Sequence, residues 1–392
     1  MKLLVVISDP PDPPVDGVKV RNFNIWPRVA EHGVEVRVVG NLSPTAAGGP
    51  VPGVPCEFVS CPPRGVLEKI RGAYCHSFHE YPRNPALVSR VDQIVADWKP
   101  NIIHAEELRM GYYLPCTRNQ KASASQTVTF HNVEIQLYEG MVFPSVPVAK
   151  GLASRLHVAN LKRYESHLAR SVDVAFTYSE RDRDIYQGLY PHGRWQATKN
   201  GANVALITPT PQPLASSVLL VGTLNYPPNR RGLLWFLDEV LPLLNPEIRF
   251  TVAGSGADAD LQARLAAANV RFVNRPDSLQ PFYDENALAI APIFEGSGTR
   301  TKILEALAYE RVTITTTKGV EGLFLAEGEG IAIADTPAAF ADAIHRLSPP
   351  EVRSPIAHAG RQAVLERYDW SVVAAEMIQV WQGLHSPGNE TS

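Results

Sequence analysis

The first forty residues, Met1–Gly40, read MKLLVVISDPPDPPVDGVKVRNFNIWPRVAEHGVEVRVVG. Leu3–Ile7 is a continuous apolar run, which is typical of a strand buried on both faces of a parallel sheet. A proline-rich loop follows, then a segment with helical spacing of its apolar residues, and then a second predicted buried strand at Val34–Val39. This order predicts a β-loop-α-β unit that is long enough for a parallel crossover.

The same alternation of strand and helix continues along the chain. Further buried strands are predicted at Ile102–Ala105, Thr127–Phe130 and Val172–Thr177, with helical segments between them. The composition changes at 206–216, where three prolines fall within five residues. This composition indicates an interdomain linker. The alternation then starts again with the apolar run Val218–Val221.

The sequence therefore predicts two doubly wound α/β domains, residues 1–205 and 217–368, joined by the linker 206–216. The segment 369–392 contains a helical pattern with two tryptophans, which gives it more apolar surface than a free tail needs. We expect this last helix to pack back on the first domain. Ligands of such sheets bind at the carboxyl ends of the strands, so a cleft between the two domains is the expected place for function.

Composition excludes several classes of protein. Of the 392 residues 45% are hydrophobic, which is incompatible with a wholly disordered chain, and the net charge of −3 is incompatible with a protein that coats nucleic acid. The four cysteines form no C-x-x-C pair, which favours a reducing compartment; they are Cys56, Cys61, Cys75 and Cys116. Because no apolar run reaches the length of a signal-peptide core or of a membrane span, we expect a cytoplasmic protein.

The most informative stretch is Ala291–Leu307, APIFEGSGTRTKILEAL, which runs from a predicted strand through a glycine loop into a helix. Glycines let backbone amides approach a ligand closely, and the free amides at a helix start favour an anion. Two cations stand at the same place. The stretch therefore predicts a diphosphate site formed by Gly296, Ser297, Gly298, Thr299, Arg300 and Lys302.

Glu305 lies one helical turn further along the same segment. A carboxylate there would repel phosphate but could accept hydrogen bonds from a vicinal diol, and a nucleoside diphosphate offers both groups in that order. The alternative is an ordinary strand-turn-helix in which Lys302 and Glu305 form an i,i+3 surface ion pair. The local pattern leaves both interpretations open.

Five stretches together resemble glycosyltransferase family 4, the group 1 glycosyl transferases, which are retaining enzymes of GT-B fold. The run EGSGTRTKILEALA resembles the donor-binding signature of that family. The other stretches lie in the matching order along nearly the whole chain: PVDG at 14–17, FHN at 130–132, KNGAN at 199–203 and VGTLNYPPN at 221–229.

The resemblance implies roles for individual residues. Gly17, Asn200, Gly222, Arg231 and Glu305 match substrate-binding positions, and His131, Glu295, Arg300 and Lys302 match positions near the reacting sugar or the leaving diphosphate. The chain departs from the family in two places. Nine residues separate Glu295 from Glu305 where the family has seven, and Thr223 stands where the family has arginine.

The resemblance also implies a retaining transfer that needs no metal and no other cofactor. Two D-x-D strings occur, Asp182/Asp184 and Asp258/Asp260, but both lie where a helix is predicted to start, a position that favours acidic residues for their own sake. The implied partners are a nucleotide-sugar donor and a glycan, lipid-linked or small-molecule acceptor, and no nucleic acid. In segment 62–82 basic and apolar residues alternate, which fits either a solvated helix face or peripheral contact at the inner face of the membrane.

Residues that follow the first-domain strands are further candidates for binding the acceptor. Glu106 and Glu107 could contact acceptor hydroxyls, and Lys19 and Arg21 could attract an anionic acceptor, although solvated helix-end charges explain the two cations equally well. Two other functions remain open, an epimerase or hydrolase of sugar nucleotides with the same fold, and a non-catalytic sugar- or nucleotide-binding protein. The sequence does not identify the donor sugar and base, the acceptor and linkage, or the oligomeric state.

Overall fold

A computed structural model of the protein describes residues 1–14, 17–42, 48–61, 84–120, 122–137, 148–295 and 300–385. The chain divides into two compact units. Unit 1 comprises Met1–Lys199 together with the residues from Val373 on, and unit 2 comprises Asn200–Val372. The units meet in sequence at 199/200 and 372/373, whereas the sequence analysis places the divisions at 205/206 and 368/369.

The described residues of unit 1 form one parallel sheet, in the order β3-β2-β1-β4-β5-β6-β7. Its strands are β1 Lys2–Ile7, β2 Glu35–Leu42, β3 Cys56–Ser60, β4 Ile102–Glu106, β5 Ser125–Phe130, β6 Val174–Thr177 and β7 Trp195–Ala197. Leu3–Ile7 is fully buried, as expected for a strand covered by helices on both faces. The predicted β-loop-α-β unit is thus present at the centre of the sheet, and β3 and β7 are strands that the sequence analysis does not predict.

The helices of unit 1 cover both faces of this sheet. They are α1 Gly17–Glu31, α2 Pro85–Trp98, α3 Glu134–Leu137, α4 Val148–Ser171 and α5 Glu180–Leu189, with 3-10 turns at Leu108–Tyr113 and Pro115–Arg118. Local sequence sets their ends. The Asn84 side chain caps α2 by accepting from the Ala86 amide at 3.1 Å, and Pro85 takes the first helical position, where no amide hydrogen is needed.

The described residues of unit 2 also form a parallel sheet, in the order β10-β9-β8-β11-β12-β13. Its strands are β8 Ser217–Thr223, β9 Arg249–Ser255, β10 Arg271–Asn274, β11 Leu288–Ala291, β12 Val312–Thr315 and β13 Ile331–Ile333. β8 lies between β9 and β11, where the strand order reverses. The carboxyl ends of β8 and β11 therefore meet at the switch point at which open α/β sheets bind ligands.

Seven helices of unit 2 lie in the described residues: α6 Pro227–Trp235, α7 Ala259–Ala267, α8 Gln280–Glu285, α9 Thr301–Ala308, α10 Thr317–Val320, α11 Pro337–Leu347 and α12 Pro350–Tyr368. α6 continues into a π-helical turn at Phe236–Val240. A Cβ on Gly232 of α6 would lie 1.8 Å from the Pro292 carbonyl oxygen, so only glycine lets this helix approach the end of β11 so closely. The sequence analysis predicts neither β13 nor the helices α11 and α12.

The proline-rich segment predicted as a linker lies against unit 2. Arginine side chains hold its polar groups: Arg311 Nη2 donates to Thr210 Oγ1 at 2.8 Å, and Arg361 Nη2 donates to the Ile207 carbonyl at 2.7 Å. Arg353 donates to the Pro213 carbonyl. Proline lacks an amide hydrogen but keeps its carbonyl oxygen. A proline-rich segment can therefore still be held by hydrogen-bond donors of the side chains around it.

The last helix, α13 Trp370–His385, belongs to unit 1 from Val373 on. The Trp381 indole is fully buried and donates its Nε1 hydrogen to Thr127 Oγ1 of β5 at 3.2 Å. Met377 is also buried, with its sulfur 3.2 Å from Nη2 of Arg21 in α1. The last helix, α13, thus contributes buried side chains to the core of unit 1.

Candidate active site

A cationic cluster lies at the carboxyl ends of β8 and β11 in unit 2. Lys302 Nζ, in the first turn of α9, donates to Asn229 Oδ1 of α6 at 2.6 Å. A Cβ on Gly222 would lie 2.9 Å from Asn229 Nδ2 and 3.1 Å from Lys302 Nζ. The structure thus brings the predicted residues Gly222 and Lys302 together. Asn229 is a member that the sequence analysis quotes in a motif but does not single out.

Burial lowers the basicity of both cations in this cluster. The pKa of the half-buried Lys302 amine falls to about 8, first because of burial and second because of the neighbouring charge of Arg300. Burial also lowers the pKa of Arg300, whose surroundings include Tyr226 and Glu321. Among the described residues no carboxylate pairs with Lys302, so the alternative surface pair with Glu305 does not form. The arrangement can therefore gain from a bound anion.

Glu305 faces the aromatic side chains of α8 rather than the cations. Tyr283 Oη is 3.5 Å from Glu305 Oε2, and the Tyr283 ring stacks on Tyr309 with centroids 4.4 Å apart. Burial raises the pKa of the Glu305 carboxyl to about 7, and the distant tyrosine hydroxyl only partly opposes this. The carboxylate thus has acceptor capacity that its protein partner does not fill.

Glu295 and Arg231 form an ion pair with each other. Arg231 Nη1 is 2.5 Å from Glu295 Oε2, and 65% of the arginine side chain is exposed. Arg231 is a predicted substrate-binding residue, and in the structure the Glu295 carboxylate already neutralises its charge. Gly296, Ser297, Gly298 and Thr299 lie outside the described residues, so the predicted glycine loop is known only by its two ends.

Asn200 stands at the beginning of unit 2 and is 8% exposed. Within the described residues its side-chain oxygen Oδ1 has no hydrogen-bond partner. A Cβ on the next residue, Gly201, would lie 2.5 Å from the Trp370 ring. The Asn-Gly element therefore combines a tight packing requirement with one unused buried acceptor.

His131 directly follows β5 in unit 1. Its Nε2 is 2.9 Å from Glu106 Oε1, and its ring stacks on Tyr178 with centroids 4.7 Å apart and planes 27° apart. The side chain is 10% exposed, so most of the ring is fixed by protein. His131 is thus the predicted strand-end histidine, held on two sides.

Glu106 ends β4 and is completely buried, which corrects the prediction that it contacts acceptor hydroxyls. Burial alone would raise its pKa. The Arg21 guanidinium and the hydrogen bonds from His104 and His131 outweigh that effect and hold the pKa well below its usual range. Arg21 is likewise completely buried and pairs with Glu106 at 3.1 Å, so it is not available to an anionic acceptor.

Glu107 turns to a different environment from its neighbour. Its backbone has φ 97°, an unusual conformation for a residue with a side chain, and its carboxylate receives Ser8 Oγ and, at 2.5 Å, Arg109 Nη2. Strain of this kind concentrates at functional sites. Gly17 begins α1, and no heavy atom of the described residues lies within 4 Å of the position a Cβ would take.

The predicted membrane-contact segment 62–82 lies outside the described residues. Within the part of the chain that is described, no helix is both long and apolar enough to cross a bilayer. Of the two D-x-D strings, Asp258 caps α7 by accepting from the Leu261 amide at 2.9 Å, and Ser179 caps α5 by accepting from the Asp182 amide at 3.0 Å. Asp258 is thus a helix cap, and Asp182 and Asp260 lie in the first turns of α5 and α7, where the helix dipole favours acidic residues.

Two family profiles match the chain and together span most of it. Residues 16–215 match the profile described as "Glycosyl transferase 4-like domain", and residues 215–348 match "Glycosyl transferases group 1". A phosphatidyl-myo-inositol mannosyltransferase of Mycobacterium leprae is 24% identical over 323 residues, which are 78% of this chain and 80% of that protein. An "Uncharacterized 44.6 kDa protein in cps region" of Klebsiella pneumoniae is 32% identical over 143 residues, 34% of this chain and only 37% of that protein.

Solved structures match the fold over its whole length. Sucrose-phosphate synthase from Thermosynechococcus elongatus has a TM-score of 0.69 at 17% identity and covers 98% of this chain and 99% of its own. The Anabaena protein Alr3699/HepE, in complex with UDP and glucose, has a TM-score of 0.67 at 14% identity and covers 98% and 100%. Together with the two parallel sheets, these matches confirm the predicted GT-B architecture.

Proposed function

The chain belongs to the group 1 glycosyltransferases, and we propose that it is a retaining, metal-independent hexosyltransferase that uses a nucleoside-diphosphate sugar as its donor. Its acceptor in this proposal is a hydroxyl of a glycan, a lipid-linked saccharide or a small molecule. The observation that carries the proposal is the cluster of Gly222, Asn229, Arg300 and Lys302 in unit 2.

In this proposal the cationic cluster binds the diphosphate of the donor. A leaving nucleoside diphosphate gains negative charge in the transition state, and fixed cations in a partly buried site stabilise such charge best. Arg300 and Lys302 supply two positive charges at the start of α9, and the missing side chain of Gly222 leaves room beside them. This supply of charge is the reason that we propose a reaction without a metal.

Glu305 is assigned to the ribose of the donor. Its carboxyl group is half-buried, has a pKa raised to about 7 and has few hydrogen-bond donors near it, and two vicinal hydroxyls would provide the missing hydrogen bonds. Glu295 is assigned to hydroxyls of the transferred sugar, and Arg231 holds that carboxylate in place. Asn200 is assigned as a further contact to the nucleotide sugar, from which its unused side-chain oxygen would accept a hydrogen bond.

His131 is assigned to the transferred sugar near the reacting carbon. Retaining transfer passes through an oxocarbenium-like centre, and in the resembled family the leaving phosphate takes the proton of the acceptor hydroxyl. A histidine beside the sugar then needs only to orient and polarise it, which fits a ring held by a hydrogen bond and a stacking contact.

The first donor to test is UDP-glucose. This choice follows the HepE structure in complex with UDP and glucose and the mannosyltransferase named among the relatives, both of which handle hexoses. Thermal unfolding against UDP, GDP, ADP, dTDP and CDP would identify the base, because a ligand at 100 times its Kd stabilises the folded state by about 2.7 kcal/mol. A flat panel at millimolar ligand would refute the donor site.

Turnover assays would then separate the enzymatic alternatives. We expect the matching nucleotide sugar to be consumed only with a saccharide acceptor, to give a product with retained anomeric configuration by NMR, and to react equally in excess chelator. Consumption of the donor by water alone would favour a hydrolase, and interconversion without release of nucleotide would favour an epimerase. Binding without any turnover would favour a sugar-nucleotide binding protein.

A further inference from the structure

Glu106 is the centre of a buried hydrogen-bond network in unit 1. Its carboxylate accepts from five groups: Arg21 Nε at 3.1 Å, His131 Nε2 at 2.9 Å, Tyr178 Oη at 3.0 Å, His104 Nε2 at 3.0 Å and Thr129 Oγ1 at 3.3 Å. An ionised carboxylate can only accept hydrogen bonds. Both histidines must therefore carry a hydrogen on Nε2.

The other end of the network is compatible with the same direction. The Trp381 indole can only donate, and it donates to Thr127 Oγ1 at 3.2 Å. Thr127 Oγ1 lies 2.8 Å from His104 Nδ1 and can donate its hydroxyl hydrogen to that nitrogen, which matches a hydrogen on Nε2. Burial lowers the pKa of His104, which agrees with a neutral ring. The chain of hydrogen bonds from Trp381 to Glu106 thus has a single consistent polarity.

For His131 the network leaves one ring nitrogen available. Nε2 is committed to Glu106, and the stack on Tyr178 fixes the plane of the ring. Among the described residues Nδ1 of His131 has no hydrogen-bond partner. Nδ1 is therefore the ring nitrogen left for a ligand, and the hydrogen bond between Nε2 and the fully buried Glu106 determines which tautomer the ring adopts.

We propose that Glu106 is a positioning residue which, with Arg21 as its counter-ion, holds His131 as the Nε2–H tautomer and presents Nδ1 to the sugar. This inference rests on the proposed role of His131 in transfer. A neutral imidazole has one donor and one acceptor, so the wrong tautomer would place a hydrogen where the site needs a lone pair. Glu106 removes that ambiguity before a substrate arrives.

A competing interpretation gives Glu106 a purely structural task, the neutralisation of the buried Arg21 guanidinium. The two interpretations differ for Glu106→Gln. Glutamine keeps one carbonyl oxygen but replaces the other acceptor by an amide group that donates, so one histidine Nε2–H would face another donor. The positioning role predicts a changed tautomer and slower transfer, whereas the structural role predicts only lower stability.

The test is made on the full chain with 15N-labelled histidine. Long-range 15N–1H NMR of the free protein should show His131 as the Nε2–H tautomer, a result that needs no variant to fold and no substrate to be known. In Glu106→Gln we expect a shifted tautomer population and a kcat at least tenfold lower, with the donor KM changed less than threefold. Glu165→Gln is the matched control, because Glu165 is equally buried in unit 1 but bonded to Tyr186 and Tyr190; it should change neither quantity.

Three outcomes would overturn the proposal: an Nδ1–H tautomer of His131 in the unmodified protein, an undiminished kcat in Glu106→Gln, or a loss of kcat with the tautomer unchanged. Failure of the proposed function is recognised separately. It would appear as absent nucleotide binding and absent transfer in the unmodified protein, whereas the tautomer is measured without either ligand.

Discussion

Two carboxylates, the fully buried Glu106 in unit 1 and the half-buried Glu305 in unit 2, stand in opposite electrostatic conditions although each has a tyrosine hydroxyl as a neighbour. Glu106 accepts from five donors, and the Arg21 charge helps to hold its pKa well below the usual range. Glu305 has one tyrosine hydroxyl at 3.5 Å, and burial raises its pKa to about 7.

The contrast is that the protein itself satisfies one carboxylate, whereas in our proposal the other is left for a ligand. A buried charge is stable only when donors and counter-ions replace the water it has lost. Glu106 therefore belongs to the permanent structure of unit 1. Glu305 lies one helical turn from Lys302, which pairs with no carboxylate of the described residues, and in our proposal the two belong to a site that is completed on binding.

The largest expected effect is on stability when Glu106 is removed. Glu106→Leu leaves Arg21 as a buried charge without its partner, and we expect the free energy of unfolding to fall by about 3–5 kcal/mol. Glu305→Leu should cause no comparable loss, because no cation depends on that carboxylate. Urea unfolding of both variants at pH 7 measures the difference, and equal losses would contradict the comparison.

The second expected effect is on nucleotide binding when Lys302 is neutralised. Lys302→Met removes a charged donor while keeping a chain of similar length, and losing a charge-assisted hydrogen bond of about 1.5–3 kcal/mol should raise the Kd of the preferred diphosphate about 10- to 100-fold. Titration calorimetry measures this Kd. The matched control is Arg271→Met, which removes a cation from β10 outside the cluster and should leave the Kd unchanged. A similar Kd in all three proteins would place the diphosphate elsewhere.

The third effect concerns pH and Glu305. The pKa of Glu305 is about 7 in the folded protein, against an ordinary value of 4.5. Between these two pH values the folded state keeps the carboxyl proton and the unfolded state has lost it. The stability that the protonated Glu305 contributes is therefore lost as the pH rises through 7. Glu305→Gln removes this dependence. We expect the variant to be more stable than the unmodified protein by about 1–2 kcal/mol at pH 8 and nearly equal to it at pH 5. Denaturation at both pH values checks the sign, and a difference independent of pH would refute it.

The smallest effect is expected from the exposed pair of unit 2. Arg231→Ala breaks the ion pair with Glu295, and because the arginine is 65% exposed we expect a change in stability within about 0.5 kcal/mol. Differential scanning calorimetry at low and at 0.5 M salt measures it. A loss several times larger, insensitive to salt, would mean that the pair is a structural element like that of Glu106.

Much of the architecture is predictable, because strands buried on both faces of a parallel sheet require continuous apolar runs that are visible in the sequence. Leu3–Ile7 and Ile102–Ala105 are strands in the structure at nearly the predicted bounds. The elements that escape prediction are short or peripheral. β13 has only three residues, too few for any period, and α12 carries an internal proline, Pro355, that interrupts its pattern.

The site is predictable where its residues are neighbours in sequence and not where they are distant. Lys302 and Glu305 lie in α9 and Arg300 directly precedes that helix, so their spacing in the sequence supports the inference. The fate of Glu106 depends on Arg21 in α1, and Arg21 in turn lies against Met377, 356 positions away in the chain. Nothing local distinguishes Glu106 from Glu107: both are buried, and only the fold brings one to Arg21 and His131 and the other to Ser8 and Arg109.

The division of the chain at 199/200 and 372/373 has a consequence for biosynthesis. Unit 2 is an insertion within unit 1, and the ribosome delivers Trp381 only after the whole of unit 2. Until then Thr127 lacks the indole above it and Arg21 lacks Met377, so the polar interior of unit 1 stays open to water. Domains usually fold in the order in which they emerge. Here unit 1 is the first to be synthesised but the last to be completed. During the synthesis of unit 2 it therefore remains incomplete and exposed to aggregation.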